Sequence, residues 1–260
     1  MLKQVKTYEE AATAINAVLP QVGATNGIPD RDVLEKEIRR GSLFLQEEDY
    51  GLLLLRKRGR WDYLTFLLKR GQSIQLWKPQ RPTVTEISFR KDTEPAAQVV
   101  QVLQAVGFRP VMKRIRLARK GQETPVFPQD GVGECTDPEA SYEILCNCFS
   151  TLTGFVPSRE EWDELCSRGQ VLSLFGGLLH YETKGKITEL RHLAVAEDCR
   201  RQGLGRYLVG AYLNRCGSSL SRVWTGEENL PARKLYDSLG YASDGWHSVV
   251  LYYDTNQKEE

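Results

Sequence analysis

One stretch of the chain has residue types and a spacing suited to binding a phosphate group. The stretch is Arg200-Arg201-Gln202-Gly203-Leu204-Gly205, and the pattern around it predicts a strand before it and a helix after it. A helix N-terminus presents unpaired backbone N–H groups and the positive end of the helix dipole, which together favour an anion. Gly203 and Gly205 lack side chains, so the backbone can approach that anion closely. We therefore predict a basic diphosphate-binding turn here.

Two other phosphate-binding patterns fit this stretch less well. A dinucleotide site of the Rossmann type carries GxGxxG near the start of a βαβ unit, and the spacing here differs. A Walker P-loop is excluded because no Gly-Lys-Ser/Thr follows the turn. A solvated, basic strand-to-helix turn without a ligand remains the alternative interpretation of the RxxGxG letters alone.

The elements that must position this turn are predicted from apolar periodicity, caps and breakers. In the second half we predict helices at about 138–149, 159–168, 205–216 and 231–239, and strands at 171–175, 177–183, 188–195, 221–225 and 246–253. In the first half we predict helices at 7–19, 32–40 and 94–106, and strands at 43–45, 51–55, 61–68, 83–89 and 111–117. Ser158 begins a capping-box spacing. The fold class is α/β with a mixed α+β sheet.

The two halves repeat one order of elements, which predicts a duplicated fold. Each half has two helices, a strand meander, a later strand, a helix, a Gly-aromatic pair and a final strand. Residues 102–108 occupy the position in the first half that residues 235–241 occupy in the second. We place domains at 1–120 and 137–260, joined by a linker at 121–136 that has no apolar period.

Composition narrows the class of partner and the compartment. The chain has 260 residues, of which 41% are apolar and 27% charged, as in an ordinary soluble domain. The formal charge of +1 argues against a nucleic-acid partner. The local basic runs at 56–60 and 109–120 are interpreted as solvated faces, with an anionic partner as the alternative.

Targeting signals and metal motifs are absent from the sequence pattern. No stretch approaches the roughly 20 apolar residues that cross a bilayer. The six cysteines contain no CxxC pair and are expected to be reduced, mostly buried thiols. We therefore predict a cytoplasmic protein with no membrane partner and no metal.

The turn and the residues around it resemble the GNAT superfamily of N-acetyltransferases. The matching letters are Leu193-Ala194-Val195 followed by Arg200 to Leu208, and Asn229 to Tyr236 followed by Leu239-Gly240-Tyr241. The resemblance is specific over about 171–253 and loose elsewhere. It implies a GNAT fold in the C-terminal half, preceded by a degenerate GNAT-like half that binds no coenzyme, because no RxxGxG follows the meander of the first half.

The resemblance implies acetyl-CoA as the cosubstrate. The main-chain N–H groups of residues 201–206 would hold its diphosphate, and the preceding strand would pair with the pantetheine arm. Asn229 would touch the pantetheine, and a helix N-cap is its alternative role. The implied coenzyme-binding residues are Leu193, Ala194, Val195, Arg200, Arg201, Gln202, Gly203, Leu204, Gly205, Arg206 and Asn229.

The resemblance also implies catalytic roles for Tyr236 and Glu189. Tyr236 matches the tyrosine that protonates the departing thiolate, and a buried helix aromatic is its alternative role. Glu189 resembles the general-base glutamate of histone-type members, and a surface glutamate paired with Arg191 is the alternative. His192 is the rival base, although strict alternation turns it away from Glu189 unless the strand carries a bulge. No Cys–His arrangement is evident, which favours direct attack in a ternary complex.

The expected function is transfer of an acetyl group from acetyl-CoA to a primary amine on a small molecule or a protein. Polyamines, aminoglycosides, amino acids and protein amines all remain open as acceptors, and a homodimer is possible. A non-catalytic acyl-CoA-binding regulatory module is the alternative, since it would share the same turn. A tRNA-dependent aminoacyl transferase, also built from paired GNAT-like domains, would need a basic groove that the net charge of +1 disfavours.

Overall fold

A computed structural model describes residues 2–72, 77–90, 95–120, 131–217 and 220–255. The chain forms two compact units, Met1–Lys113 with His247–Glu260, and Arg114–Trp246. These units differ from the sequence domains 1–120 and 137–260, because the final strand of each half is divided between them. Residues 121–130 of the proposed linker lie outside the described ranges.

In its described residues the first unit has three α-helices, one short 3-10 helix (Leu19–Gln21) and a mainly antiparallel sheet. The helices are α1 (Tyr8–Val18), α2 (Arg31–Arg39) and α3 (Pro95–Val106). The strands are β1 (Lys3–Gln4), β2 (Val22–Thr25), β3 (Leu43–Glu48), β4 (Gly51–Arg58), β5 (Trp61–Lys69), β6 (Thr83–Arg90) and the start of β7 (Arg109–Arg119). Strands β1, β3, β4 and β5 are antiparallel neighbours, and β6 pairs parallel to β5.

Strand β4 shows why this unit buries both faces of its sheet. Leu53 and Leu55 pack on one face with Leu103 of α3. Leu52 and Leu54 pack on the other face with Ile15 of α1. An unbroken apolar run is the pattern of a strand covered on both sides.

The second unit carries the turn of interest. Its strands are the end of β7, β8 (Gly133–Glu134), β9 (Val171–Leu174), β10 (Gly177–Lys184), β11 (Ile187–Val195), β12 (Leu220–Gly226) and the start of β13 (Ala242–Tyr253). Its helices are α4 (Pro138–Cys148), α5 (Arg159–Ser167), α6 (Leu204–Cys216) and α7 (Leu230–Ser238). The strand order is β7-β12-β11-β10-β9-β8, in which β11 and β12 are parallel and the other pairs antiparallel.

Two apolar clusters identify the two sides of this second sheet. On one side Leu190 and Val223 pack with residues of α6 and α7, and we name it the α6 side. On the other side Leu178 and Ala194 pack with Trp162 and other residues of α4 and α5, and we name it the α4 side.

The predicted mixed α/β fold class is confirmed.

The prediction that the basic runs at 56–60 and 109–120 are solvated faces is wrong for several arginines. Arg58 pairs with Glu37, a buried carboxylate, whose pKa is lowered by Arg58 against the opposing effect of burial. The guanidinium of Arg56 stacks 4.3 Å from the ring of Tyr63. Arg119 is only 8% exposed. These arginine side chains therefore contact other residues of the protein and are not simply solvated.

Two further observations concern helices and thiols. Within the described ranges, no helix is both long enough and apolar enough to cross a bilayer. All six cysteines are free thiols, as expected, although Cys146 is exposed and only Cys166 and Cys199 are buried.

Candidate active site

Strands β11 and β12 begin as neighbours and then separate. Their pairing begins at Ile187 with Leu220 and ends at Leu190 with Val223. Both strands are fully described, and they form no pair beyond that point. Beyond that point β12 continues beside β7, and β11 continues beside β10. The edge of β11 that faces β12 therefore has no strand partner along residues 191–195, which include the predicted coenzyme residues Leu193, Ala194 and Val195, although Val195 O accepts from the side chain of Arg200. An open strand edge can pair with an extended ligand.

The turn after β11 exposes its backbone N–H groups. Arg201 has φ 61° and Gly203 has φ 85°, both in the left-handed region, and α6 then starts without a side-chain cap. Holding the non-glycine Arg201 there costs about 1 kcal/mol. Among the described residues, no protein acceptor takes a hydrogen bond from the N–H groups of residues 201–205. A run of unpaired N–H groups at a helix N-terminus fits a diphosphate.

The side chains of the turn mostly brace it. Arg200 Nε donates to Val195 O at 3.0 Å, and Gln202 Nε2 donates to Asp198 O at 3.3 Å. Arg206 Nη1 donates to Ser238 Oγ of α7 at 3.1 Å. An anion bound at this turn would therefore meet mainly main-chain donors.

Glycine at position 205 allows close packing beneath the turn. A Cβ atom there would lie 3.3 Å from Leu235 Cδ2 and 3.8 Å from Leu193 Cδ2. The half-buried Leu204 precedes it at the first position of α6. The first turn of α6 can therefore sit directly against α7 and β11.

Asn229 caps helix α7 and Tyr236 lies within it, so both belong to the second unit with the turn. Asn229 Oδ1 accepts from Ala232 N at 3.2 Å, so its side chain caps the helix, which is the alternative role considered above. Tyr236 is 3% exposed and stands edge-on to the ring of Tyr241, with centroids 5.4 Å apart. Its hydroxyl has no hydrogen-bond partner among the described residues. Burial raises the pKa of Tyr236 well above its ordinary value, which keeps the phenol protonated.

A β-bulge decides which residues of β11 share a side. His192 pairs with His180 of β10, but Leu190 pairs with Tyr181, so Arg191 is the extra residue. Leu190 packs on the α6 side, whereas Ala194 packs on the α4 side. Glu189 is adjacent to Leu190 in the strand and therefore points to the opposite side, the α4 side. His192 is two residues before Ala194 and therefore shares its side, which is also the α4 side. The expectation from strict alternation is wrong here because the bulge resets the pattern.

Glu189 lies at the accessible end of this α4 side. Its Oε1 is 3.1 Å from Arg191 Nη1, and its side chain keeps 32% of its surface exposed. Arg191 Nε is also 3.9 Å from Oε2 of Glu182 on β10. Glu189 thus has the ion pair of a surface glutamate and remains reachable from solvent.

The two buried histidines form a stacked pair that sequence reasoning missed. His180 and His192 have ring centroids 5.4 Å apart, with Nδ1 atoms 3.1 Å apart. His192 Nε2 is 2.8 Å from Gly154 O, in the loop between α4 and α5 (residues 149–158, the α4–α5 loop). Since a carbonyl only accepts, Nε2 carries the proton and Nδ1 accepts from His180. Both nitrogens of His192 are engaged, and burial lowers its pKa to about 4.

Replacing His192 with Gln is expected to weaken the acid sensitivity of folding. The pKa of His192 falls from 6.5 to about 4 on folding, so between these values the unfolded chain binds more protons. Stability is therefore lost as pH falls through that window and is constant above it. His192 alone should remove about 2 kcal/mol between pH 7 and pH 4.5.

Urea unfolding at the two pH values measures this effect. His192→Gln keeps an N–H donor for Gly154 O and should reduce the pH dependence by that amount. His247→Gln is the matched control, because His247 lies in the first unit and stacks on Phe89. An unchanged pH dependence in His192→Gln would contradict the assignment.

In the first unit the corresponding strands also separate, but the chain itself fills the gap. Strands β5 and β6 pair only at Asp62 with Thr83 and at Tyr63 with Val84. On that same edge, β2 pairs with β5 further along. Between them, the side chain of Asn26 donates to Leu64 O and accepts from Phe66 N, both at 2.9 Å. The backbone groups that a pantetheine arm would use are already occupied.

Residues 131–241 match the model of the acetyltransferase (GNAT) family. No curated protein matches the chain.

Several solved structures share the fold at low identity. A tandem GNAT protein from the clavulanic acid biosynthesis pathway is 12% identical, with a TM-score of 0.60 over 100% of both chains. A GCN5-related N-acetyltransferase from Sphaerobacter thermophilus is 13% identical, with a TM-score of 0.57 over 97% of this chain and 94% of that one. These likenesses confirm the predicted GNAT fold and its tandem arrangement.

Proposed function

We propose that this chain transfers an acetyl group from acetyl-CoA to a primary amine, because its residues 131–241 match the model of the acetyltransferase (GNAT) family. Similarity to this family supports acyl transfer in general. The acetyl donor and the amine acceptor are the specific parts of our proposal. The observation that carries it is the run of unpaired N–H groups at 201–205 beside the open edge of β11. The N–H groups of the turn suit the diphosphate of the coenzyme, and the strand edge suits its extended pantetheine arm.

We assign the diphosphate to the turn and the pantetheine arm to the strand edge. The N–H groups at 201–205 would donate to the diphosphate oxygens, and Arg201, exposed at the turn, would add charge. Leu193, Ala194 and Val195 would pair with the amides of the arm. The proposed set is completed by Arg200, Gln202, Gly203, Leu204, Gly205, Arg206 and Asn229.

The chemistry is direct attack of the amine nitrogen on the thioester carbonyl. A C–N bond forms and the C–S bond breaks, so the amine must lose a proton and the thiolate must gain one. Glu189 takes the amine proton, directly or through a water, and Tyr236 donates its phenolic proton to the sulfur. The raised pKa of Tyr236 supports this assignment, because the phenol keeps its proton until a strong base forms beside it.

Contacts on the α4 side support Glu189 over His192 as the base. Glu189 is accessible, whereas His192 is 4% exposed and uses both ring nitrogens within the protein. We assign His192 to holding the α4–α5 loop through Gly154. A base must reach the incoming amine, and an enclosed imidazole with both nitrogens engaged is badly placed to do so.

A free-thiol assay with acetyl-CoA across a library of primary amines tests the proposal. We expect thiol release that depends on the amine, and calorimetry should give one acetyl-CoA per chain because the first unit fills its own cleft. Tight binding without amine-dependent release would instead favour the regulatory module. Failure of millimolar acetyl-CoA to bind would reject both.

A further inference from the structure

Arg222 of β12 lies beside Glu189, and no other described residue partners its charge. The two residues are register partners across the parallel strands. The neighbours of Arg222 in sequence, Ser221 and Val223, are buried toward α6, where Ser221 Oγ bonds Tyr212 and Val223 packs in the core. Arg222 therefore faces the α4 side, as Glu189 does. Its other neighbour across the sheet is Ala118, whose small side chain leaves space beside the guanidinium.

The side chain of Arg222 is half-buried, and part of its guanidinium group is withdrawn from solvent. Its Nε is buried and makes no hydrogen bond, and the described part of the chain supplies no ion pair or ring contact to its other nitrogens. A charged donor removed from water without an acceptor is unfavourable. A buried polar atom without a partner requires an explanation, and an acceptor supplied by a ligand is one such explanation.

Neighbouring arginines show what Arg222 lacks. Arg116 Nη2 is 2.8 Å from Asp244 Oδ2, and Arg191 is paired with Glu189. Arg114 donates to Thr153 O in the α4–α5 loop. The carboxylates near Arg222 are thus engaged by other cations, and its charge is the surplus on this part of the sheet.

We propose that Arg222 binds a carboxylate of the acceptor, so that the acceptor is an amino acid or another amine with a carboxylate close to its nitrogen. The inference rests on the proposed function, which places the acceptor amine at Glu189. Adjacent strands are about 4.8 Å apart, so the side chains of Glu189 and Arg222 begin close together on the α4 side. An amino group and a carboxylate that are joined by one carbon atom can therefore contact both. A guanidinium fork matches a carboxylate through two parallel hydrogen bonds.

Trp224 provides apolar surface next to this charge pair. It lies two residues after Arg222 on the same side of β12, just beyond the last pair with β11. Its ring is half-buried and lies 5.6 Å from Arg116 Cζ, which is also 5.0 Å from the ring of Trp246. An acceptor held at Glu189 and Arg222 would rest its side chain on this surface.

Matched acceptors that differ only at the carboxylate test the proposal. For each of several amino acids, the free acid, its carboxamide and the decarboxylated amine are compared by kcat/KM in the thiol assay. We expect the free acid to be preferred by at least about 100-fold, since one bidentate ion pair is at stake. Arg222→Gln should abolish the preference mainly through KM, and Arg222→Lys should restore part of it.

Arg168→Gln is the control variant. Arg168 lies at the end of α5, is exposed, and makes only a long ion pair of 3.8 Å with the exposed Glu164. It should leave the preference unchanged. Binding of the free acid and the carboxamide to the CoA-saturated protein is measured by calorimetry in parallel, so that the result does not depend on turnover. Calorimetry also checks that Arg222→Gln still binds acetyl-CoA.

The outcomes separate the two proposals. Preferential binding of the free acid, lost in Arg222→Gln but without turnover, supports the carboxylate site and rejects acetyl transfer. Turnover without preference, or a preference that survives in Arg222→Gln, overturns the carboxylate site and leaves acetyl transfer standing. A purely structural Arg222 would lower the melting temperature in Arg222→Gln while the acceptor ratio stayed the same, which also overturns it.

Discussion

Tyr236→Phe is expected to lower kcat by about 10²- to 10⁴-fold, the usual contribution of a general acid. The variant removes the proton that we assign to the departing thiolate and leaves the shape of the side chain unchanged. Because the Tyr236 hydroxyl has no partner among the described residues, the free energy of unfolding should change little. Affinity for acetyl-CoA should also be retained.

Tyr241→Phe is the matched control for this experiment. The Tyr241 hydroxyl is 2.6 Å from Ser221 Oγ in a buried chain that continues to Tyr212 at 2.8 Å. Its loss should cost about 1 kcal/mol of stability and leave kcat near the wild-type value. Full activity in Tyr236→Phe, or an equal rate loss in both variants, would contradict the acid role.

Gly203→Asp is expected to raise the Kd for acetyl-CoA by at least about 100-fold. The substitution puts a carboxylate at the start of α6, where the diphosphate is expected, and repulsion at about 4 Å near a protein surface reaches some 4 kcal/mol. Asp and Asn tolerate the left-handed backbone at this position better than other residues do. A Cβ there would be 3.6 Å from Tyr207 Cε2, an ordinary contact.

Gly203→Asn separates charge from shape, because it has the same size and carries no charge. We expect its Kd to rise far less than that of the Asp variant. Added salt should narrow the difference, since the repulsion lies at the surface. Equal affinities of the two variants would show that no anion binds at this turn.

Local sequence signals predicted most of the elements and the two motifs of the site. Ser158 forms the predicted capping box with Glu161, and Asp30 caps α2 by accepting from Val33 N. Caps and turns depend on residues within one helical turn, so single-sequence reasoning reaches them. The left-handed Gly203 before α6 belongs to the same local class.

Features that depend on pairing between distant strands could not be predicted. The position of the bulge at Arg191, which the sequence raised only as a condition, the stacked pair His180 and His192, and the proximity of Glu189 to Arg222 all follow from strand register. Register is fixed by packing across the sheet, and one inserted residue changes which side every later residue faces. Short strands such as β1 and β8 lack a pattern of their own.

The segment between the first two helices has opposite roles in the two units. In the first unit, the segment 19–30 includes β2 and places Asn26 against the edge of β5 that β6 leaves unpaired. In the second, the α4–α5 loop is held through its carbonyls by His192 and Arg114, and the edge of β11 stays open. One duplicated fold thus yields a filled cleft and an open one.

Residue-specific amide chemical shifts test the central claim most directly. In ¹⁵N-labelled protein titrated with acetyl-CoA, the N–H signals of residues 201–205 should move further than any others, because they would gain charged acceptors. The amides of residues 69–72, after the meander of the first unit, should not move. Saturable binding that leaves the 201–205 signals in place would contradict the account.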